Sequence, residues 1–189
     1  MAHAAGGNSL LRWRYTHQTK LPALNSLLKT CSAIAAASAL LVACGGGNSD
    51  DPTPSNEPGV LTVGNATLPG LNGVYGNGSL NLTEVDKKNP VGSVPELCTF
   101  RFDGANKVGS SETAFGDVRY RPDATGLHQI FVTFAGKEYS NGDTVDTTVA
   151  RDANQVRLTS KTLTATDASG NTLQVSGVIP MRPNRPFGC

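Results

Sequence analysis

Hydrophobic side chains follow two different rhythms along this chain. Residues 31–43, Cys31-Ser32-Ala33-Ile34-Ala35-Ala36-Ala37-Ser38-Ala39-Leu40-Leu41-Val42-Ala43, form an uncharged, largely apolar run with neither Gly nor Pro. Beyond residue 58 the run gives way to alternation of apolar and polar positions, the period of a strand with one buried face. Cys98, Phe100 and Phe102 share one such face, and Val118-Arg119-Tyr120-Arg121 repeats the pattern. Ile130, Val132 and Phe134 make another face, and Leu173, Val175, Gly177 and Ile179 a fourth.

Turn chemistry punctuates these runs at short intervals. Asn72-Gly73, Asn77-Gly78 and Asn141-Gly142 supply residues that tolerate positive φ, and Asp103-Gly104-Ala105-Asn106 and Asp167-Ala168-Ser169-Gly170-Asn171 read as hairpin loops. The second of these joins a strand over residues 157–166 to one over 172–179. No window after residue 44 carries apolar residues at helical spacing over three turns, and the Thr, Val and Gly content disfavours helices. The expectation is an all-β fold: a single antiparallel β-sandwich or barrel of about eight strands over residues 59–189, with at most a helical turn near residues 84–88.

The apolar run is preceded by Lys20 and Lys29 and is only thirteen residues long, whereas a membrane-spanning helix needs about 20. It reads as the core of an export signal covering residues 1–43. Its end, Leu41-Val42-Ala43-Cys44, resembles the lipobox of bacterial lipoproteins. That resemblance implies cleavage between Ala43 and Cys44 and attachment of acyl chains to Cys44, which hold the protein on a membrane. Two or three chains matter, because each buried CH₂ adds about 0.8 kcal/mol and one chain alone binds marginally. Gly45 rather than Asp after the cysteine implies, by the sorting rule of enteric bacteria, the outer membrane, with the protein facing the periplasm. Residues 44–58 then form the lipidated terminus and a Gly-, Ser-, Pro- and Asp-rich tract expected to be a flexible tether.

Four cysteines are present. Cys31 would leave with the signal and Cys44 would carry lipid, which leaves Cys98 and Cys189 in an oxidising compartment. A disulfide between them would close about 90 residues, for which the chain-entropy argument gives about 4–5 kcal/mol. The alternative is a buried free Cys98 and an unbonded Cys189. The tail places Pro180, Pro183 and Pro186 three apart, which suggests an extended polyproline II segment packed along the domain.

Charge changes the picture mainly by what it excludes. Residues 1–43 hold four basic and no acidic residues, so the chain from Cys44 onward has twelve basic against fifteen acidic residues, a net −3. These charges are scattered, without the basic clustering that nucleic-acid binding requires. Hydrolase strings such as Gly-x-Ser-x-Gly or His-Glu-x-x-His do not occur, and no catalytic residue is assigned. His128, the one histidine after Cys44, is expected at the edge of an inward strand face. Zinc would need clustered Cys or His, and no metal or cofactor is expected. Asn141-Gly142-Asp143-Thr144-Val145-Asp146 is oxygen-rich but departs from the twelve-residue calcium loop, so it reads as a polar turn.

The residues therefore point to a non-enzymatic, lipid-anchored envelope domain that binds an envelope protein or glycan. A carboxylate-dependent envelope hydrolase using Asp103, Asp117 or Glu138 is the alternative. A lysozyme- or protease-inhibitor-like lipoprotein is a further alternative: small lipoproteins that inhibit lysozyme are a loosely similar class by architecture, with no inhibitory loop to map onto this sequence.

Overall fold

The computed structural model describes residues 51–189, and the expected export signal over residues 1–43, the expected cleavage position at Ala43 and the expected lipidation position at Cys44 lie outside the described residues. The domain is all-β. Its strands are β1 (Val60–Gly64), β2 (Gly73–Tyr75), β3 (Asn81–Leu82), β4 (Asp86–Lys88), β5 (Leu97–Asn106), β6 (Thr113–Tyr120), β7 (Leu127–Phe134), β8 (Lys137–Asn141), β9 (Thr147–Ala150), β10 (Gln155–Ala165) and β11 (Thr172–Pro180). All eleven belong to one antiparallel, curled sheet, and the one helical element among the described residues is a 3₁₀ turn, Pro69–Leu71.

The registers reduce the eleven strands to eight staves. β3 and β4 follow one another along β5, where Asn81 faces Asp103 and Lys87 faces Cys98, and β2, paired with β1, precedes them in the same stave. β8 and β9 likewise follow one another along β10. Each stave pairs with its neighbour in sequence, and β1 pairs with β11. The other edge of β2 meets the end of β5 through the Tyr75–Lys107 bridge, where Gly76 N–H donates to Asn106 O at 2.8 Å and Val108 N–H to Val74 O at 2.8 Å. The sheet thus curls round into a barrel-like wall whose two edges meet at this bridge.

The four alternating faces expected from the sequence all turn inward. Cys98, Phe100, Phe102, Val118, Tyr120, Ile130, Val132, Phe134, Leu173, Val175 and Ile179 are buried in one core cluster. Gly116 belongs to the same inward series: a Cβ there would lie 2.7 Å from the Phe102 ring and 2.5 Å from Phe131 O, so the missing side chain makes room for the ring.

Three bulges curl the wall, and two of them alter expectations. Asp103–Asn106 is not a hairpin loop; it lies inside β5, where the register slips between Phe102 and Ala105 and Gly104 adopts φ 82°. A loop of polar composition was expected there, but one extra residue in a strand suffices to use a positive-φ glycine. The second slip opposes Arg119–Tyr120 to Gln129 and Leu127, so His128 is the extra residue and sits half-buried rather than on the inward face. The third falls between Leu158 and Lys161. Residues 84–88 form no helical turn; Asp86–Lys88 is the extended strand β4, held by the β5 ladder.

Loops 65–72, 107–112, 135–136 and 166–171 gather at one end of the barrel, and loops 89–96, 121–126 and 151–154 at the other. The tail, residues 181–189, folds under this second end, the tail end. Cys189 is bonded to Cys98 with the Cα atoms 5.7 Å apart. The tail is not a straight polyproline segment, since Arg185 N–H bonds Pro183 O and Cys189 N–H bonds Pro186 O, and polyproline II has no internal hydrogen bonds.

The opposite end is where Asp51 docks, and we term it the strap end. Residues 51–58, part of the tract expected to be a free tether, lie against the wall instead. Asp51 accepts from Asn65 N–H at 3.1 Å and from the Asn72 side chain at 2.8 Å, and Pro58 bridges to Val178.

Candidate functional site

The main recess lies on the outer wall, on the faces of β4, β5 and β6. Alternation that sends Phe100 and Val118 inward must send Thr99, Arg101, Asp117 and Arg119 outward. The register sets Arg101 opposite Asp117. Asp117 accepts from Arg119 Nε at 2.7 Å and from the Thr99 hydroxyl at 3.5 Å, with Arg101 Nε 3.7 Å away. The Arg119 guanidinium lies 4.9 Å from the centre of the Phe131 ring, a cation–π contact that fixes its plane.

Loop 89–96 overhangs this face as a flap. Its tip is a tight turn closed by Val91 N–H to Val94 O at 3.1 Å and Val94 N–H to Val91 O at 3.0 Å. Its base is tied by an ion pair between Lys87 and Glu96 at 3.2 Å. Between flap and wall lies a cleft of about 550 Å³. A second depression of about 320 Å³ continues from it and shares Arg101, Asp117 and Arg119. It adds the half-exposed Phe115, with Phe131 and Glu138. The combination offers an aromatic face, two guanidiniums and hydroxyls on a rigid sheet, groups suited to stacking and hydrogen bonding a polar ligand.

Of the three carboxylates singled out in the sequence, Asp117 and Glu138 both line the second depression. Asp103 lines neither recess and accepts from the Asn81 side chain at 2.6 Å. The lone pairs of Asp117 are largely occupied by guanidinium and hydroxyl donors. His128 lines a different, shallow recess beside Arg121 and Thr144.

The oxygen-rich loop 141–146 contains a cation of the protein's own. Lys161, 2% exposed, lies on the same face as Leu163 and opposite Val175. Its Nζ reaches the gap between β8 and β9, where it bonds the Asp143 carboxylate, Asp143 O at 3.2 Å and Val145 O at 2.9 Å. Carbonyls that lose ladder partners where the stave is interrupted thus gain an ammonium donor. The hydrogen bond from Lys161 is the main cause that holds the Asp143 carboxyl below its ordinary range. Lys161 was not singled out in the sequence, although the pattern Leu158, Lys161, Leu163 carries the one-residue slip that marks its bulge.

Burial raises all three tyrosines of the domain. Tyr75 is pushed up to about 12, first by burial and then by Glu112, while Tyr120 and Tyr139 rise mainly through burial. Among the described residues no group of three or more His, Cys, Asp or Glu could hold a metal ion, and no helix is long and apolar enough to cross a membrane. Comparison of the chain with protein families, with curated proteins and with solved structures finds no match.

Proposed function

We propose that the protein is a lipid-anchored binding module of the bacterial envelope, held by acyl chains on Cys44 on the outer membrane and facing the periplasm, which takes a protein or glycan ligand in the cleft beneath flap 89–96. The observation that carries this reading is the cleft. The barrel interior is packed with large side chains, among them Phe102, Phe134, Tyr75 and Tyr139, whereas the recess outside presents Arg101 and Phe115 to solvent. The lipobox residues Leu41-Val42-Ala43-Cys44 support the anchor.

The test uses the mature protein and two probes, purified peptidoglycan sacculi and detergent-solubilised outer-membrane proteins. Sedimentation or capture by either one that Arg119→Ala and Arg101→Ala each abolish is the expected result. Capture that survives both substitutions overturns the cleft, and a Cys44→Ser protein that still fractionates with membranes overturns the anchor.

A second reading, an envelope hydrolase using carboxylates, rests on the shared position of Asp117 and Glu138 in one depression. Release of soluble saccharide from sacculi that Asp117→Asn or Glu138→Gln abolishes would favour it over simple binding.

A further inference from the structure

The outward faces of β1 and β11 are covered where a barrel wall would ordinarily meet solvent. Leu61 and Val63 point into the core, so Val60 and Thr62 point out, yet these are only 5% and 3% exposed. On β11 the outward Ser176 and Val178 are 8% and 0% exposed. Residues 51–58 lie alongside these positions: Asp51, Pro52, Thr53 and Pro54 share a recess with Thr62 and Ser176, and Pro58 bridges to Val178. This segment starts at the strap end, where Gly64 lets Asp51 approach so closely that a Cβ would stand 3.3 Å from its carboxyl carbon. It passes over Thr62, Gln174 and Ser176, bonds Arg157 through the Asn56 side chain, and meets Val178 through Pro58 before turning into β1.

The chain between Cys44 and the docked Asp51 is therefore six residues, 45–50, of which three are Gly. Seven Cα steps span at most about 25 Å. A tether free up to residue 58 would reach about 50 Å. The staves are about 20–25 Å tall once strand tilt is allowed for, so even at full stretch the chain from Asp51 to Cys44 is no longer than about the height of the barrel.

We propose that residues 51–58 are an orienting strap: docked along β1 and β11, they turn the strap end of the barrel toward the bilayer that holds the acyl chains of Cys44, and turn the tail end away from it. This rests on the lipidation of Cys44 proposed above. The surface facing the bilayer comprises loops 65–72, 107–112 and 166–171. The flap, with Val91 and Val94 exposed, and Phe187, 95% exposed on the disulfide-fastened tail, then face away from the membrane, where a ligand of the cleft can reach them.

The single tryptophan, Trp13, lies in the signal, so the mature protein accepts one engineered donor without background. Ser111→Trp marks the strap end and Ala153→Trp the tail end. Each mature protein is anchored through Cys44 to vesicles that contain a dansyl-labelled lipid, once with its native acyl chains and once by coupling Cys44 to a maleimide lipid. The expected result is stronger energy transfer from Ser111→Trp than from Ala153→Trp, with that asymmetry lost when Asp51→Ala and Asn56→Ala release the strap. Equal transfer from the two positions in the unaltered strap, or stronger transfer from Ala153→Trp, overturns the proposal. The coupled protein reads orientation without relying on native acylation. Asymmetry there, together with an unacylated Cys44 in the native protein, would sink the anchor while leaving the strap intact; acylation without asymmetry would do the reverse.

Discussion

At the strap end the barrel is shut by side chains, and at the tail end by main chain. Under the strap-end loops the rings of Tyr75 and Phe134 meet edge to face at 4.9 Å, Phe134 and Tyr139 at 6.5 Å, and the Tyr75 hydroxyl bonds Leu71 O at 2.9 Å. At the tail end, residues 181–189 run without a ladder partner, so their carbonyls need donors from elsewhere. Two arginines supply several of them and also bond carbonyls of the neighbouring loops. Arg185 donates to Cys189 O, Arg182 O and Arg151 O, and Arg151 to Gly188 O, Ala124 O and Arg121 O. The Tyr120 hydroxyl adds a bond to Cys189 O at 2.9 Å, and the disulfide fastens the terminus. Apolar closure tolerates the absence of partners, whereas closure by irregular backbone needs every carbonyl answered, and a guanidinium fork answers several at once.

The difference can be broken most completely with alkali. A phenol whose folded pKa lies above its unfolded value near 10 contributes stability that is complete below pH 10 and is lost as pH climbs through the folded value. With Tyr75 near 12 and Tyr120 and Tyr139 also raised, the mature protein should lose its fold between about pH 10 and 12, and tyrosinate absorbance should rise together with loss of the β-sheet circular dichroism. Tyrosines that titrate near pH 10 in a still-folded protein would show that the barrel ends admit water.

Next in size is the core of the strap end. Phe134→Ala should cost about 3–5 kcal/mol in urea unfolding, because the ring touches both tyrosines and leaves a cavity. At the tail end, Cys98→Ala with Cys189→Ala should cost about 2–5 kcal/mol, mostly through a less restricted unfolded chain. Arg185→Ala, made in the oxidised protein, should cost about 1–3 kcal/mol and increase proteolysis of the tail while leaving the strap end protected from hydrogen exchange. A loss of protection shared by both ends would mean that they are not independent.

The smallest effect concerns Asp143, whose carboxyl is depressed by Lys161. Its contribution is present above the unfolded value of about 4 and fades as pH falls below that. Because the carboxylate is largely exposed, the effect should be slight, detectable as an acid-side decline in thermal stability that Asp143→Asn removes.

Much of the wall was legible in the sequence. Inward faces such as Phe100–Phe102 and Ile130–Phe134 were readable because side-chain alternation is a property of two adjacent residues. The loop at 167–171 was readable because its residues favour a turn wherever they stand. Gly104 departs from the hairpin reading for a local reason: a bulge adds one residue whose meaning depends on the partner strand. The wall position of Asp117 follows from alternation, but its neighbours Arg101 and Phe131 come from β5 and β7, and only register brings them together.

By itself, then, the sequence determined strand-rich structure and the inward faces, since each of these is written in short-range pattern or composition. The tertiary structure decided how the single curled sheet meets itself, through the bridge between Tyr75 and Lys107. It also placed Cys98 beside Cys189, filled loop 141–146 with the ammonium of Lys161, and laid residues 51–58 along the wall. Each of these joins groups far apart in the chain, and such contacts are set by how a closed, twisted sheet returns its ends to one another.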